Sequence, residues 1–281
     1  MKKLELAEIA AAVERALAED YRGTDLTGEA VLTEGQRCVA EVISRESGVL
    51  CGLAIVQEVF RQVDNSIGCA DLLQDGARLQ AGSVVMRVTG PALAVLAGER
   101  TAVNFLQHLS GIASLTARFV AVASPFGVEI LDTRKTVPGL RQLEKYAARI
   151  GGARNHRMGL YDAILIKDNH VDLAGGLTEA LTRATTRHPA REVEVEVRSQ
   201  AELAEALEFG VGRVLLDNFT PAEVTAAVAL VGVRSEVEVS GGVTLQNLAE
   251  YAAARPNYIS VGRITHSAPA LDLALKVVGH P

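Results

Sequence analysis

The chain contains no tryptophan, and aromatic residues make up only 4% of its 281 positions. Single-stranded nucleic acid is gripped by stacking its bases on aromatic rings, so this scarcity argues against such a partner. Excess basic charge is missing as well. Lys and Arg number 28 against 34 Asp and Glu, a formal net charge of -6, which argues against nucleic acid and anionic membrane surfaces alike. Cysteine is sparse: Cys38, Cys51 and Cys69 make an odd count with no CxxC pair. That pattern predicts reduced, mostly buried thiols in a cytoplasmic protein, and offers neither a disulfide framework nor metal-ligand spacing. The opening stretch MKKLELAEIAAAVERALAED has two lysines but then Glu5, Glu8 and Glu14. No uninterrupted apolar segment follows it, so neither a signal peptide nor a membrane span is expected there.

What is present is an ordinary globular composition, 48% hydrophobic and 22% charged, in a chain long enough to bury a full core. Leu6, Ile9, Ala10, Val13 and Leu17 recur at helical spacing and predict an amphipathic first helix. Up to about Leu96 the pattern turns strand-like, with Val39, Glu41 and Ile43 and then Val84 to Val88 between turn signals. Gly98 to Ala123 reads as a long helix. From residue 128 short apolar strands alternate with helices. The strands are read at 128–132, 163–167, 192–196, 213–217, 236–240 and 258–262. The expected fold is therefore α/β: an incomplete, open, about six-stranded α/β barrel with an N-terminal α+β sandwich-like domain. A doubly wound open sheet is the alternative. The boundary is placed between 112 and 113, and a last helix after Ser267 is expected to pack back on the first domain.

Residues Leu131 to His170 carry eight Lys or Arg, two His and only four Asp or Glu. A local basic excess on an acidic chain suits a pocket for something small and strongly anionic. Moreover, every predicted strand of the second half ends in polar residues: Asp132 to Lys135, Lys167 to His170, Glu196, Asp217 and Asn218, Ser240 to Gly242, and Ser260 to Arg263. In α/β barrels the site lies at the carboxyl ends of the strands. Arg134, Lys135, Arg157 and Lys167, with His156, would suit a ligand with two carboxylates, because Arg binds a carboxylate through two parallel hydrogen bonds and Lys adds a point charge. Each could instead pair with a nearby acid in a purely structural role. Ser240, Gly241 and Gly242 before a helix, and Ser260, Gly262 and Arg263 before another, read as phosphate cradles. Glu196 and Asp217 end consecutive middle strands, where carboxylates bind sugar hydroxyls, hold a phosphate-bound Mg2+, or neutralise the cations. Lys167 leaves open a Schiff base with a carbonyl substrate.

The motifs GTDLTGEA, GERTAVNFLQHLSGIAS, LDTRKTVPGLRQLEKYA, GGARNHRMGLYDAILIKDNH, VEVSGGVTLQNL and YISVGRITHSAPALDLAL resemble those of the quinolinate phosphoribosyltransferases, over nearly the whole chain. The resemblance implies an enzyme that makes nicotinate mononucleotide, pyrophosphate and CO2 from quinolinate and phosphoribosyl pyrophosphate, with Mg2+ and no organic cofactor. It implies a homodimer, possibly a higher assembly, in which the N-terminal domain of one subunit covers the barrel mouth of the other. Thr133, Arg134, Lys135, His156, Arg157 and Lys167 would line the pocket for quinolinate and pyrophosphate, and Arg100 would reach in from the partner. Glu196 and Asp217 would serve the ribose and metal side, and Ser240, Gly241, Gly242, Ser260 and Gly262 the 5′-phosphate. Lys135, Lys167, Glu196 and Asp217 are the expected catalytic group. A related enzyme using nicotinate, and a catalytically silent sensor of phosphoribosyl ligands, are the competing readings.

Overall fold

The computed structural model describes residues 5–279. In chain order the elements are α1 (Leu6–Asp20), α2 (Leu26–Val31), β1 (Arg37–Ser44), β2 (Gly48–Val49), α3 (Leu53–Val63), β3 (Gly68–Asp71), β4 (Arg78–Leu79), β5 (Val84–Pro91) and α4 (Ala92–Ala123). There follow β6 (Glu129–Leu131), α5 (Arg141–Ile150), β7 (Ile164–Ile166), α6 (Asp168–Ala174), α7 (Leu177–Arg187), β8 (Val193–Val197) and α8 (Gln200–Phe209). The chain continues through β9 (Arg213–Asp217), α9 (Pro221–Val231), β10 (Glu236–Ser240), α10 (Leu248–Ala253), β11 (Tyr258–Ser260), α11 (Arg263–His266) and β12 (Leu273–Gly279).

These elements divide into two compact units, and the division is not a single cut near residue 112. The first unit takes the chain up to Ala117, then Thr136–Gly152 and the residues from Ile264 onward; the second takes Arg118–Lys135 and Ala153–Arg263. Helix α5 belongs to the first unit for a visible reason: Tyr146 donates to Asp75 Oδ2 at 2.8 Å and Gln142 to Glu8 Oε1 at 2.9 Å.

In the first unit an antiparallel sheet of order β12-β1-β5-β3 is centred on β1, whose buried residues alternate. The expected last helix is instead β12. Leu271, Leu273 and Leu275 are buried at spacing two, the period of a strand, and β12 pairs antiparallel with β1 from Val39 opposite Gly279 to Ser44 opposite Leu273. The segment read as strand-like before Leu96 also contains α3, where Leu53, Val56 and Phe60 bury one helical face. Helix α4 begins six residues before the predicted start. It is apolar and long enough to cross a bilayer by length and composition, and 56% of its most apolar window is buried in the protein. Val103, Leu106, Leu109 and Ile112 make it a core helix, and Gly111 is required where it meets the loop before β12: an added Cβ would lie 2.0 Å from the Pro269 carbonyl oxygen.

The second unit is a six-stranded parallel sheet of order β6-β11-β10-β9-β8-β7. Five strands follow one another in sequence, and the first, β6, lies beside the last, β11. A doubly wound sheet reverses direction at an interior strand; this order runs one way round, as in a barrel, and among the described residues β6 and β7 are not paired. Some helices start at a side-chain cap that the sequence provides, as α2, α8 and α9 do. Thr220 and Glu223 exchange hydrogen bonds across the first turn of α9, with Pro221 at its first position.

The interior of this barrel departs from the usual layers of branched aliphatics. Strand β8 reads VEVEV and β10 reads EVEVS. In register, Glu194 lies beside Arg213 and Arg213 beside Glu236, while Glu196 neighbours Leu215 and Leu215 neighbours Glu238. Period two therefore places Glu194, Glu196, Arg213, Asp217, Glu238 and Ser240 on one face, with the valines of β8 and β10 on the other.

Candidate active site

A cavity of about 260 Å3 opens at the carboxyl ends of the parallel strands. Thr133, Arg134, Lys135, His156, Arg157, Lys167, Glu196, Asp217, Ser240, Ser260 and Gly262, eleven of the residues singled out in the sequence, line it together with Leu165, Leu215 and Glu238. Gly241 and Gly242 follow Ser240 in the adjoining turn, both with positive φ, at +94° and +65°. Arg100 is placed elsewhere. It is exposed on α4 in the first unit, at another cavity of about 420 Å3 lined by Thr101, Asn104, His108, Glu19 and Asp20 among others.

The segment that carries His156 and Arg157 is anchored by the end of β6. Asp132 is fully buried, and its carboxylate accepts from Asn155 Nδ2 at 2.5 Å and from the His156 backbone N–H at 2.9 Å. Asp132 is thus a structural anchor, spent on backbone and amide donors. Arg157 donates through Nη1 to the Ala163 carbonyl at 3.1 Å. Its guanidinium is held below the usual arginine range, first by burial and then by the charge of Arg134 beside it. Two guanidiniums that repel one another in a partly desolvated cleft are stabilised by an anion.

Lys167 caps α6, and its Nζ is ion-paired with Glu196 Oε2. Asp217 ends β9 and accepts from Asn218 Nδ2 at 2.7 Å. Asn218 turns the chain sharply with φ of +57°, and its N–H donates to the Ser240 carbonyl at 2.9 Å, joining the turns after β9 and β10. The helix after Ser240 is only Leu248–Ala253, so the residues that directly follow Ser240 form the Gly241–Gly242 turn and not a helix end.

Beneath this rim lies a layer that strand-end reasoning missed. His156 Nδ1 accepts from the Arg157 backbone N–H at 2.7 Å, which leaves the proton of the neutral ring on Nε2. Nε2 lies 3.2 Å from Glu194 Oε2 and 3.5 Å from Glu238 Oε1. Ser260 Oγ donates to the same Glu238 oxygen at 2.5 Å, and Arg213 Nη1 lies 3.7 Å from Oε2. Burial pushes Glu238 well above the ordinary carboxylate range, and the charge of Glu194 adds to the push. Burial acts the same way on Glu194, but the hydrogen bond from His156, with the positive charge of Arg213, outweighs it and holds Glu194 below that range. Of the two carboxyls, Glu238 is the one that burial holds toward the acid form. The ligand atoms of His156, Glu194 and Glu238 lie within 4.8 Å of one another, a spacing a metal could bridge, but Ser260 and Arg213 already engage Glu238. The signal for this layer was present: Glu and Val alternate along EVEVEV and EVEVS, which marks a whole strand face as carboxylate.

Comparison with known proteins bears on the family and the fold. Residues 112–276 match the family profile "Quinolinate phosphoribosyl transferase, C-terminal domain", and residues 25–110 match the N-terminal domain of the same family. A probable nicotinate-nucleotide pyrophosphorylase (carboxylating) of Bacillus subtilis is 40% identical over 261 residues, 92% of this chain and 90% of that protein. Its counterpart in Archaeoglobus fulgidus is 43% identical over 246 residues, 85% and 94% of the respective chains. Among solved structures, the nicotinate-nucleotide pyrophosphorylase of Francisella tularensis superposes with a TM-score of 0.95 at 37% identity, covering 98% of both chains.

Proposed function

This chain belongs to the quinolinate phosphoribosyltransferase family, and we propose that the strand-end cavity of its second unit is where the family's reaction takes place. The enzyme joins quinolinate to phosphoribosyl pyrophosphate and releases nicotinate mononucleotide, pyrophosphate and CO2, a step of NAD biosynthesis.

The observation that carries the assignment of the site is the crowding of Arg134 and Arg157 in one cleft with Lys135 and Lys167. The two guanidiniums take the two ring carboxylates, and Lys135 adds charge on the pyrophosphate side. With both polyanions held together, the pyridine nitrogen attacks the anomeric carbon, and the carbon–oxygen bond to pyrophosphate breaks with its electron pair leaving on oxygen. Fixing the two reactants side by side supplies much of the rate, up to about 7–11 kcal/mol in favourable cases, and the cations stabilise the charge that grows on the leaving group. The ring nitrogen is now positive. The bond from the adjacent carbon to its carboxylate then breaks, its electrons remaining beside that charge; CO2 departs and one proton is taken up at the carbon. The 5′-phosphate rests on the Ser240–Gly242 turn and at Gly262.

Glu196 and Asp217 project from neighbouring strands on the inward face, and a small number of carboxylates beside phosphate oxygens suits Mg2+. When bound with the pyrophosphate there, Mg2+ would neutralise leaving-group charge. A Schiff base at Lys167 is disfavoured by its ion pair with Glu196, since an ammonium has no lone pair for a carbonyl. We further place Arg100 in the cleft of a partner subunit within a homodimer, and the three unpaired thiols support a reducing, cytoplasmic setting.

Product analysis tests the reading. Purified protein with phosphoribosyl pyrophosphate, Mg2+ and quinolinate should yield nicotinate mononucleotide and CO2, and nicotinate in place of quinolinate should yield nothing. Turnover of nicotinate would move the assignment to the monoacid reaction, and ligand-induced stabilisation without product would make the protein a sensor.

A further inference from the structure

Both ring nitrogens of His156 are occupied by the protein: Nδ1 by the Arg157 backbone and Nε2 by the two buried carboxyls below. An imidazole held this way lines the cavity yet has no free nitrogen for a substrate. What it does instead is fix the backbone from which Arg157 projects. The partners behind it are themselves fixed. Glu238 is fully buried on β10, tied to Ser260 of β11, and Glu194 stands inside β8, so the ring is braced by three different strands.

We propose that Glu238 is a positioning residue for the reaction: with Glu194 it clamps the His156 ring, and through that ring it sets the place of Arg157 against a substrate carboxylate. The inference rests on the cavity being the quinolinate site. Glu238 acts from behind: its Oε1 meets both the Ser260 hydroxyl and His156 Nε2, in a place where burial favours its acid form. Its neutrality has a purpose in this setting. A second full negative charge below the cavity would oppose the binding of a dianion, whereas the acid form supplies hydrogen-bonding partners at little electrostatic cost. The arrangement also explains why a site for anions is floored with glutamates: they hold the frame on which the cations are mounted.

Two substitutions separate this role from its rivals. Glu238→Gln keeps the reach of the side chain and mimics the acid form; Glu238→Asp keeps the carboxyl but withdraws it by one methylene. The Gln variant should keep the KM for quinolinate within about threefold of wild type, while the Asp variant should raise it about tenfold or more, with the KM for phosphoribosyl pyrophosphate unchanged in both. The 15N resonances of the His156 ring, assigned in the whole protein, should stay in place in the Gln variant and move in the Asp variant. A Gln variant that folds but is inactive would overturn the proposal in favour of Glu238 as a proton donor. An Asp variant with normal constants, or an equal rise in both KM values, would overturn it too. If the Asp variant does not fold, the Gln variant decides: full activity with displaced His156 resonances would mean that the clamp is not needed. Wild-type protein that fails to consume quinolinate would instead refute the assignment of function, so the two failures are distinct.

Discussion

Asn218 occupies the space that any side chain at position 241 would need: a Cβ added to Gly241 would lie 2.1 Å from Asn218 Oδ1 and 3.0 Å from the Asn218 backbone nitrogen. Gly241 also has a φ of +94°, which side chains other than hydrogen rarely tolerate. Asn218 in turn donates to Asp217, so the turn after β10 and the carboxylate at the end of β9 are set together. Gly241→Ala should therefore displace Asp217 as well as the phosphate turn. The expected result is a loss of about tenfold or more in kcat/KM together with a stability cost of about 1–3 kcal/mol, read from steady-state kinetics and urea unfolding. A variant with unchanged kinetics would detach this turn from the reaction.

Arg157→Ala should lower kcat/KM by about two orders of magnitude, the scale for removing one charge-stabilising group from a partly desolvated site. The loss should appear chiefly with quinolinate, while phosphoribosyl pyrophosphate binding measured by calorimetry changes little. Arg157→Lys should recover only part of the activity, because a point charge does not replace a planar pair of donors.

Complementation tests the proposed sharing of the mouth between subunits. Subunits carrying Arg100→Ala and Lys135→Ala should each be nearly inactive alone. In a purified mixed dimer one mouth draws an intact residue from each chain, so roughly half of the wild-type rate should return, as two-fold symmetry requires. No recovery in verified mixed dimers would confine Arg100 to its own subunit.

The Glu238 acid predicts a pH dependence of stability with a definite sign. Its folded-state value is raised, so the native protein keeps a proton that the unfolded chain has lost. In that interval the unfolded state binds fewer protons than the native state, and stability falls as pH rises from the ordinary carboxylate range toward the raised value. Glu238→Gln removes this dependence. Relative to wild type, the Gln variant should gain unfolding free energy as pH rises above the ordinary carboxylate range, measured by urea titration at each pH. A difference that stays constant, or shrinks, would mean Glu238 is ionised in the native protein.

The rim of the site was legible because its cations and glycines sit next to strand ends, and strand ends are marked by apolar runs that stop. The bounds of β9 and β10 were read without error, since RVLLD and EVEVS are closed on both sides by polar or glycine residues. What strand-end reasoning could not supply was pairing across the barrel. That His156 faces Glu194 and Glu238 depends on the curvature of the sheet, which no local pattern encodes. Other misses were local ones: β12 was taken for a helix although its leucines alternate, and α3 was overlooked because its apolar residues lie among strand-like neighbours. Tertiary placement of α5 in the first unit likewise depends on contacts such as Tyr146 with Asp75, distant in sequence.

The pairing of β12 with β1 sets a schedule for synthesis. Strand β1 is complete at residue 44, but its neighbour on one side is drawn from residues 273–279. While the ribosome builds the intervening chain, that side of β1 is a bare row of backbone donors and acceptors, the template on which unrelated chains add themselves. The unit begun first is thus the last to be finished, and the long delay before its distant contacts form slows folding and prolongs exposure. For this enzyme, the hazard of misassembly is greatest in the nascent chain, and it ends when β12 takes its place at the sheet edge.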